Sequence, residues 1–298
     1  MRKHPVIFGM LLLIALGVVF YLLFYNFGAN SGKTKSFSLS EKIGVVNVSG
    51  IISDSTGIVQ QLDEFGNDDS LAAVVLRIDS PGGGVAASQE IYDAVVELKK
   101  KKKVVASMGS IAASGGLLIA CGADKIVANP GTITGSISAI MQFANVEELL
   151  KKIGLKASAV KSGKYKDLGS PLREMTSEER KIVQDLVDDI YNQFVDVIVR
   201  DRKISREEVI KIADGRVFSG RQAKEYGLVD SLGDMRSAAK LASQLAGKNG
   251  KYDLVYPPKK RGSIFDYLFE SAANQLSRSL KENAEGWGVV GYLYHPSL

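Results

Sequence analysis

Leu71-Ala-Ala-Val-Val-Leu-Arg-Ile78 is an apolar, β-branched run, and the turn sequence Asp79-Ser-Pro-Gly-Gly-Gly84 follows it directly. A run of this length that ends at turn residues predicts a buried β-strand. Residues 86–98 then place apolar side chains at helical spacing and predict a helix. A strand, a glycine-rich turn and a helix in this order form the unit from which parallel sheets are built.

The same alternation continues on both sides of this unit. Further strands are predicted at residues 43–48, 104–108 and 126–128, and a helix is predicted at residues 112–120. Near-continuous apolar strands that alternate with helices favour a largely parallel sheet covered on both faces.

Helices dominate after residue 144. The apolar pattern predicts them over residues 146–153, 177–202, 206–213, 219–226, 236–245 and 264–280. Thr176 and Ser205, each followed by two glutamates within the next three residues, are typical of capping boxes at helix starts. The sequence therefore predicts one α/β domain over residues 41–232 and a C-terminal helical extension over residues 233–298.

The N-terminal residues predict a membrane anchor. Residues 5–25 are apolar and uncharged, and about 20 such residues are needed for a helix to cross a bilayer. The run ends in bulky aromatic residues, which suit a membrane interface better than the small-residue site of a cleaved signal peptide. Arg2 and Lys3 then favour a cytoplasmic tip of residues 1–4, and residues 26–40 have the composition of a linker. We expect one N-terminal transmembrane helix in the cytoplasmic (inner) membrane, with the body facing the periplasm or the exterior.

Composition excludes several classes of function. The 298 residues are 45% hydrophobic and 24% charged, with a net charge of +5, and the basic clusters lack interleaved aromatics, so we expect no nucleic acid partner. Cys121 is the single cysteine, which rules out an internal disulfide. The two histidines, His4 and His295, lie near the ends, so a Ser-His-Asp triad or a histidine-ligated zinc site in the body is not expected. We predict no metal and no cofactor.

Ser114 is the candidate nucleophile. It follows a predicted strand in Gly109-Ser-Ile-Ala-Ala-Ser114-Gly-Gly116, where small neighbours let a substrate approach the backbone. A serine at a helix start also lies next to unpaired N–H groups, which can hold an oxyanion. The alternative is that Ser114 only caps the helix.

The glycines at residues 82–84 are a second, weaker signal. Three consecutive glycines at a strand end indicate unusual dihedral angles or a close backbone approach. Both oxyanion and phosphate binding would use such a segment, but P-loop and GxGxxG spacings are absent.

Lys161, Lys164 and Lys166 are candidate general bases, because a chain without a central histidine needs another base. A lysine base must be neutral although its ordinary pKa is about 10.4, so it needs burial or a cationic environment. The residues alone leave open which of the three is the base.

Together these segments resemble the signal peptide peptidase A family of Ser-Lys serine peptidases, in its short single-copy form. The resemblance covers the chain from the N-terminal anchor to about Leu232. It rests on segments 79–83, 108–116, 134–137, 161–167, 170–176, 215–220 and 223–230, in the family's order.

The resemblance implies the roles of five residues. Ser114 is the nucleophile and Lys166 is the general base. The backbone N–H groups of Gly83 and Gly115 form the oxyanion hole, and Ser136 orients the lysine. The fold implied is a Clp protease/crotonase-like core with additional helices.

The resemblance also implies a substrate and an assembly. Family members cleave remnant signal peptides, which are apolar segments left in the membrane after secretion. Their single-copy forms are homo-oligomeric rings in which neighbouring subunits share each site. Three alternatives remain open: a crotonase-type acyl-CoA enzyme, a catalytically silent membrane scaffold, and a partner-dependent protease with one dedicated substrate.

Overall fold

A computed structural model describes residues 13–19, 40–249, 251–258 and 291–293. The chain divides into two units, residues 1–40 and 41–298. In the first unit, residues 13–19 form a helix, α1. None of the helices in the described ranges is both long enough and apolar enough to span a membrane. Most of the predicted span 5–25, and nearly all of the predicted linker 26–40, lie outside the described residues.

The described part of the second unit is built on a single nine-stranded sheet with the central order β6-β5-β3-β2-β1-β8. The strands are β1 (Glu41–Ile52), β2 (Leu71–Gly84), β3 (Lys103–Ala113), β4 (Lys125–Ala128), β5 (Ile133–Gly135), β6 (Val217–Ser219), β7 (Ser231–Leu232), β8 (Tyr252–Val255) and β9 (Gly291–Leu293). Strands β1, β2 and β3 pair in parallel, and β8, β4 and β5 extend the parallel part. The predicted mixed α/β architecture with a largely parallel sheet is confirmed.

Helices cover both faces of this sheet. The helices in the described part of this unit are α2 (Thr56–Gly66), α3 (Val85–Lys101), α4 (Gly115–Cys121), α5 (Glu147–Lys152), α6 (Ser177–Arg202), α7 (Arg206–Ile212), α8 (Gly220–Glu225) and α9 (Met235–Leu245). Alternate residues of β2 face opposite ways, so that Val74 and Leu76 join the core under α3 and α4, whereas Ala73 and Val75 pack with α9. This burial on both faces explains why β2 reads as a continuous apolar run.

Two strands are longer than their apolar runs predict. β2 continues through the predicted turn to Gly84, because residues 82 and 83 pair with Ile51 and Ile52 of β1. β3 continues to Ala113, so the helix predicted from residue 112 begins only at Gly115. In both cases the strand partner is distant in sequence, and local periodicity does not register it.

The helices after residue 144 lie close to their predicted bounds. Thr176 and Ser205 form the predicted capping boxes with Glu179 and Glu208, and α6 has the predicted limits. The segment after residue 232 differs from the predicted helical extension: α9 is followed by β8, which pairs with β1, and by β9, which pairs with β2. The helix predicted at residues 264–280 lies outside the described residues.

Phe194 tests the packing of α6 on the core. Its side chain is fully buried (0% exposed), and we expect Phe194→Ala to lower the free energy of unfolding by about 3–5 kcal/mol through the cavity it leaves. Urea unfolding followed by circular dichroism measures this. The control Lys181→Ala, on the exposed face of α6, should stay within about 0.5 kcal/mol of wild type. Equal effects of the two variants would contradict the assigned packing.

Candidate active site

Ser114 lies in a strained turn between β3 and α4. Its φ is 54° and its ψ is −117°, a conformation that a residue with a side chain rarely adopts. Hydrogen bonds hold it from both sides: its N–H donates to the Gly135 carbonyl (2.8 Å), and its carbonyl accepts from the Leu118 N–H (3.0 Å). Strain of this kind concentrates at functional sites because the surrounding structure has to enforce it.

The Ser114 hydroxyl is buried and has no partner among the described residues. The residue is 1% exposed, and its Oγ makes no hydrogen bond there. Its side chain makes no capping hydrogen bond to α4, so the alternative that Ser114 is only a helix cap is wrong. Leaving a buried hydroxyl unpaired costs about 1–3 kcal/mol, which indicates a purpose other than stability.

The glycine-rich end of β2 lies against the start of α4. A Cβ added to Gly115 would lie 2.4 Å from Ser88 Oγ and 3.4 Å from Gly82 Cα. A Cβ added to Gly83 would lie 2.2 Å from the Ile52 carbonyl oxygen. The structure therefore brings both predicted oxyanion segments, at Gly83 and Gly115, to the same end of the sheet as Ser114, with no room for a side chain.

Ser136 lies on the other side of Ser114. It follows Gly135, whose carbonyl accepts the Ser114 N–H, and it is 7% exposed with a φ of 51°. Its own N–H donates to the Arg216 carbonyl (2.8 Å). Two consecutive backbone hydrogen bonds, at residues 135 and 136, thus fix Ser136 beside the predicted nucleophile.

Lys166, unlike the buried Ser114 and Ser136, lies on the surface. It is exposed, and within the described residues its side chain has neither an ion-pair nor a hydrogen-bond partner. Lys161 pairs with Asp167, and Lys164 pairs with Glu178. The structure of a single chain therefore unites Ser114, Ser136 and the two glycines, but Lys166 is not hydrogen-bonded to Ser114 Oγ.

Comparison with known proteins identifies the family. The sequence pattern described as "Peptidase family S49" matches residues 96–249, just over half of the chain, and that described as "Clp protease" matches residues 34–134. The Synechocystis protein named "Putative protease slr0021" is 46% identical over 227 residues, which are 74% of this chain and 82% of that protein. The chain belongs to peptidase family S49. Two further relatives carry more specific names.

A protein of Enterococcus faecium whose name contains "signal peptide peptidase SppA" is 36% identical over 65% of this chain and 60% of its own length. "Serine protease SPPA, chloroplastic" of Arabidopsis thaliana is 30% identical over 82% of this chain, which covers 37% of that longer protein. This S49 chain is thus a serine peptidase of the type related to signal peptide peptidase A. The family assignment contradicts the crotonase-type alternative.

The structure shows a strand beside the candidate site that the sequence analysis did not predict. Strand β9 pairs antiparallel with the glycine-rich end of β2, with residue 292 opposite Gly83 and residue 293 opposite Gly82. The sequence around it, Val289-Val-Gly-Tyr-Leu-Tyr294, is apolar and rich in β-formers, and this signal could have predicted a strand.

A second missed element is the ion-pair network that holds the segment around Lys166. Arg173 donates from Nε to Asp167 Oδ2 (2.9 Å) and from a terminal nitrogen to Glu179 Oε2 (2.8 Å). The hydrogen bonds from Arg173 hold the pKa of the Asp167 carboxyl well below its usual range and lower the pKa of Glu179 to about 2. The residue next to Lys166 is therefore tied to the first turn of α6.

A substitution at Gly83 tests whether catalysis needs the close approach of β1 and β2. We expect Gly83→Ala to displace either Ile52 or the glycine-rich segment and to lower kcat/KM on a fluorogenic apolar peptide by about 100-fold or more, the typical cost of losing one oxyanion donor. The control Gly131→Ala adds a Cβ with nothing within 4 Å and should keep wild-type activity. Full activity of Gly83→Ala would show that this approach is not needed for catalysis.

Glu179 tests the network by pH. Its folded pKa of about 2 lies below the ordinary value of 4.5, so its charge stabilises the fold above about pH 4.5, and that contribution is lost as the pH falls towards 2. Glu179→Gln can still complete the capping box but cannot titrate. Between about pH 6 and about pH 3, the thermal midpoint of wild type should therefore fall more than that of the variant. Parallel losses would contradict the assigned pairing.

Proposed function

We propose that this chain is a membrane-anchored serine endopeptidase that uses a Ser114–Lys166 dyad. The observation that carries the proposal is the strained, buried Ser114, whose hydroxyl has no partner among the described residues. Gly83 and Gly115 have no room for a side chain and would provide two backbone N–H groups for the oxyanion. Ser136, next to the residue that holds the Ser114 N–H, would orient the lysine.

The mechanism is acyl transfer without imidazole. Neutral Lys166 accepts the Ser114 Oγ proton while Oγ attacks a peptide carbonyl carbon. The resulting oxyanion accepts hydrogen bonds from the N–H groups of Gly83 and Gly115. Lys166 then gives its proton to the leaving amine, and it next activates the water that hydrolyses the acyl-enzyme.

The choice among the three lysines follows from their partners. Lys161 and Lys164 are held in ion pairs with Asp167 and Glu178. The hydrogen bond to Glu178 also raises the pKa of Lys164, which favours its charged form. Lys166 has no such ion pair within the described residues, and we therefore assign it as the base.

The site is proposed to be shared between subunits of a homo-oligomeric ring. Residues 140–175, here called the lysine arm, contain α5, none of whose residues is buried. The exposed apolar side chains of the arm are Ile140, Phe143, Leu149, Ile153, Leu155, Val160, Tyr165 and Leu172. Exposed apolar surface of this extent is typical of an interaction site. A neighbouring subunit that covered the arm would also bury Lys166, which favours the neutral form of a lysine.

The substrate is proposed to bind as an extended strand. Strand β9 pairs antiparallel with residues 82–84, and a peptide that took this position would lie beside Gly83 through main-chain hydrogen bonds. We propose apolar signal-peptide remnants as substrates, in line with the name of the Enterococcus faecium relative. Residues 5–25 would act as an uncleaved anchor in the cytoplasmic membrane, with the body on its periplasmic or exterior side, so that enzyme and substrate share the membrane.

The dyad is tested by three single variants of the full chain, purified in detergent and assayed on a fluorogenic apolar peptide. Ser114→Ala and Lys166→Ala should each lower kcat to background, at least about 10³-fold, because nucleophile and base act as a unit. Lys164→Ala, the matched control two residues away, should keep near-wild-type activity. A fully active Lys166→Ala would contradict the assignment and make Lys164 or Lys161 the base.

Sharing between subunits is tested by mixing the two inactive variants at equal amounts and reassembling them. In a head-to-tail ring about a quarter of the sites would pair an intact serine with an intact lysine, so about a quarter of wild-type activity should return. No recovery in rings shown to be mixed would place both residues of a site in one chain. If folded wild type cleaves only one membrane protein, the dedicated-substrate alternative holds, and if it cleaves nothing, the scaffold alternative holds.

A further inference from the structure

Strand β3 carries a bulge just before Ser114. Ile78 of β2 pairs with Met108 of β3, and Ser80 of β2 pairs with Ala112. Only Asp79 lies between the two pairs on β2, whereas Gly109, Ser110 and Ile111 lie between them on β3. Extra residues on one strand break the hydrogen-bond ladder and bend the strand.

Two side chains satisfy the backbone groups of this bulge. The Ile111 N–H donates to Asp79 Oδ1 (3.1 Å), and Thr132 Oγ1 donates to the Gly109 carbonyl (2.7 Å). Thr132 is 1% exposed, and its hydroxyl also accepts from the Asn129 N–H (3.1 Å). A Cβ on Gly109 would lie 2.7 Å from Asp79 Cγ, so the carboxylate reaches the bulge only because this residue is glycine.

The bulge is where β3 changes its partner. Before it, residues 105–108 pair with residues 125–128 of β4, and after it, residues 111–113 pair with β5. The next residue along the chain is Ser114, whose N–H donates to the carbonyl of Gly135, the last residue of β5. The direction in which β3 leaves the bulge therefore sets the position of the Ser114 backbone.

We propose that Asp79 and Thr132 are positioning residues for the peptidase reaction. They orient Ser114 through their hydrogen bonds to the backbone of the β3 bulge. The proposal rests on the proposed role of Ser114 as nucleophile. Neither side chain needs to touch the substrate. Each satisfies one backbone group of the bulge, and together they fix the course of the three residues that lead into the strained turn.

Matched pairs of variants separate the hydrogen bond from the shape of the side chain. Thr132→Val removes the hydroxyl with little change of shape, whereas Thr132→Ser keeps it. Asp79→Ala removes the acceptor, whereas Asp79→Asn keeps an oxygen that can accept from the Ile111 N–H. Thr132→Val and Asp79→Ala should lower kcat by about 10- to 100-fold with KM within about 2-fold, since small misplacements of a reacting group cost this much. Thr132→Ser and Asp79→Asn should keep kcat within about 3-fold of wild type.

A second readout reports on Ser114 alone. A small fluorophosphonate probe labels a reactive serine without a peptide in the groove, and its rate should fall in the two disruptive variants as kcat does. Each rate is measured on the full chain in detergent below the thermal midpoint of that variant. A lowered midpoint with wild-type labelling and kcat would show that the two side chains only stabilise the fold, and would overturn the proposal.

Ser114→Ala distinguishes the two levels of inference. If this variant is still labelled, the nucleophile assignment fails and the positioning proposal fails with it. If it is silent while Thr132→Val and Asp79→Ala are labelled at the wild-type rate, only the positioning proposal fails. The two positions are tested separately, so a variant that does not fold at one position leaves the other as the test.

Discussion

The hydrogen bond from the Ser114 N–H to the Gly135 carbonyl is the interaction on which the site depends. Ser114 holds a backbone conformation that costs of order 1–3 kcal/mol for a residue with a side chain, and such a residue relaxes unless its surroundings prevent it. Here β5 provides the restraint from one side and α4 from the other. Because β5 itself pairs with β3 and β6, the hydrogen-bonded strands of the sheet maintain the strained conformation of Ser114.

Close approach between neighbouring backbones explains why glycine recurs at the end of the sheet where Ser114 lies. Where β2 passes β1, the position of Gly83 leaves less than the space of a methyl group before the Ile52 backbone. Close backbone approach excludes side chains from the place where the scissile carbonyl is proposed to lie. It also means that a peptide bound there would find main-chain donors and acceptors rather than side chains. The antiparallel pairing of residues 82–84 with β9 shows that this segment of β2 can accept a strand.

Local pattern predicted most of the elements but not their ends at the site. The apolar run at residues 71–78 and the capping box at Thr176 predicted β2 and α6 because burial and capping are local signals. The final residues of β2 and β3 are glycine- and alanine-rich, and they are strands only because remote partners pair with them. The bulge of β3 depends on hydrogen bonds with Asp79 and Thr132. Both residues are more than twenty positions away along the chain from their partners in the bulge, so local spacing could not predict it. Strand β9 is different, because the β-forming run around it is a local signal that could have predicted a strand.

The base could not be chosen from the sequence because all three candidate lysines occupy the same exposed arm. Their partners distinguish them: carboxylates hold Lys161 and Lys164, and Lys166 has no such partner among the described residues. A single described chain thus holds two incomplete features, a buried hydroxyl without a partner and an exposed lysine on an apolar arm. One event, the docking of the arm onto a second copy, would cover the apolar side chains, desolvate the lysine and give the hydroxyl its base. If the arm docks in this way, peptidase activity is coupled to assembly, because no base is hydrogen-bonded to the Ser114 hydroxyl within the described residues of one chain.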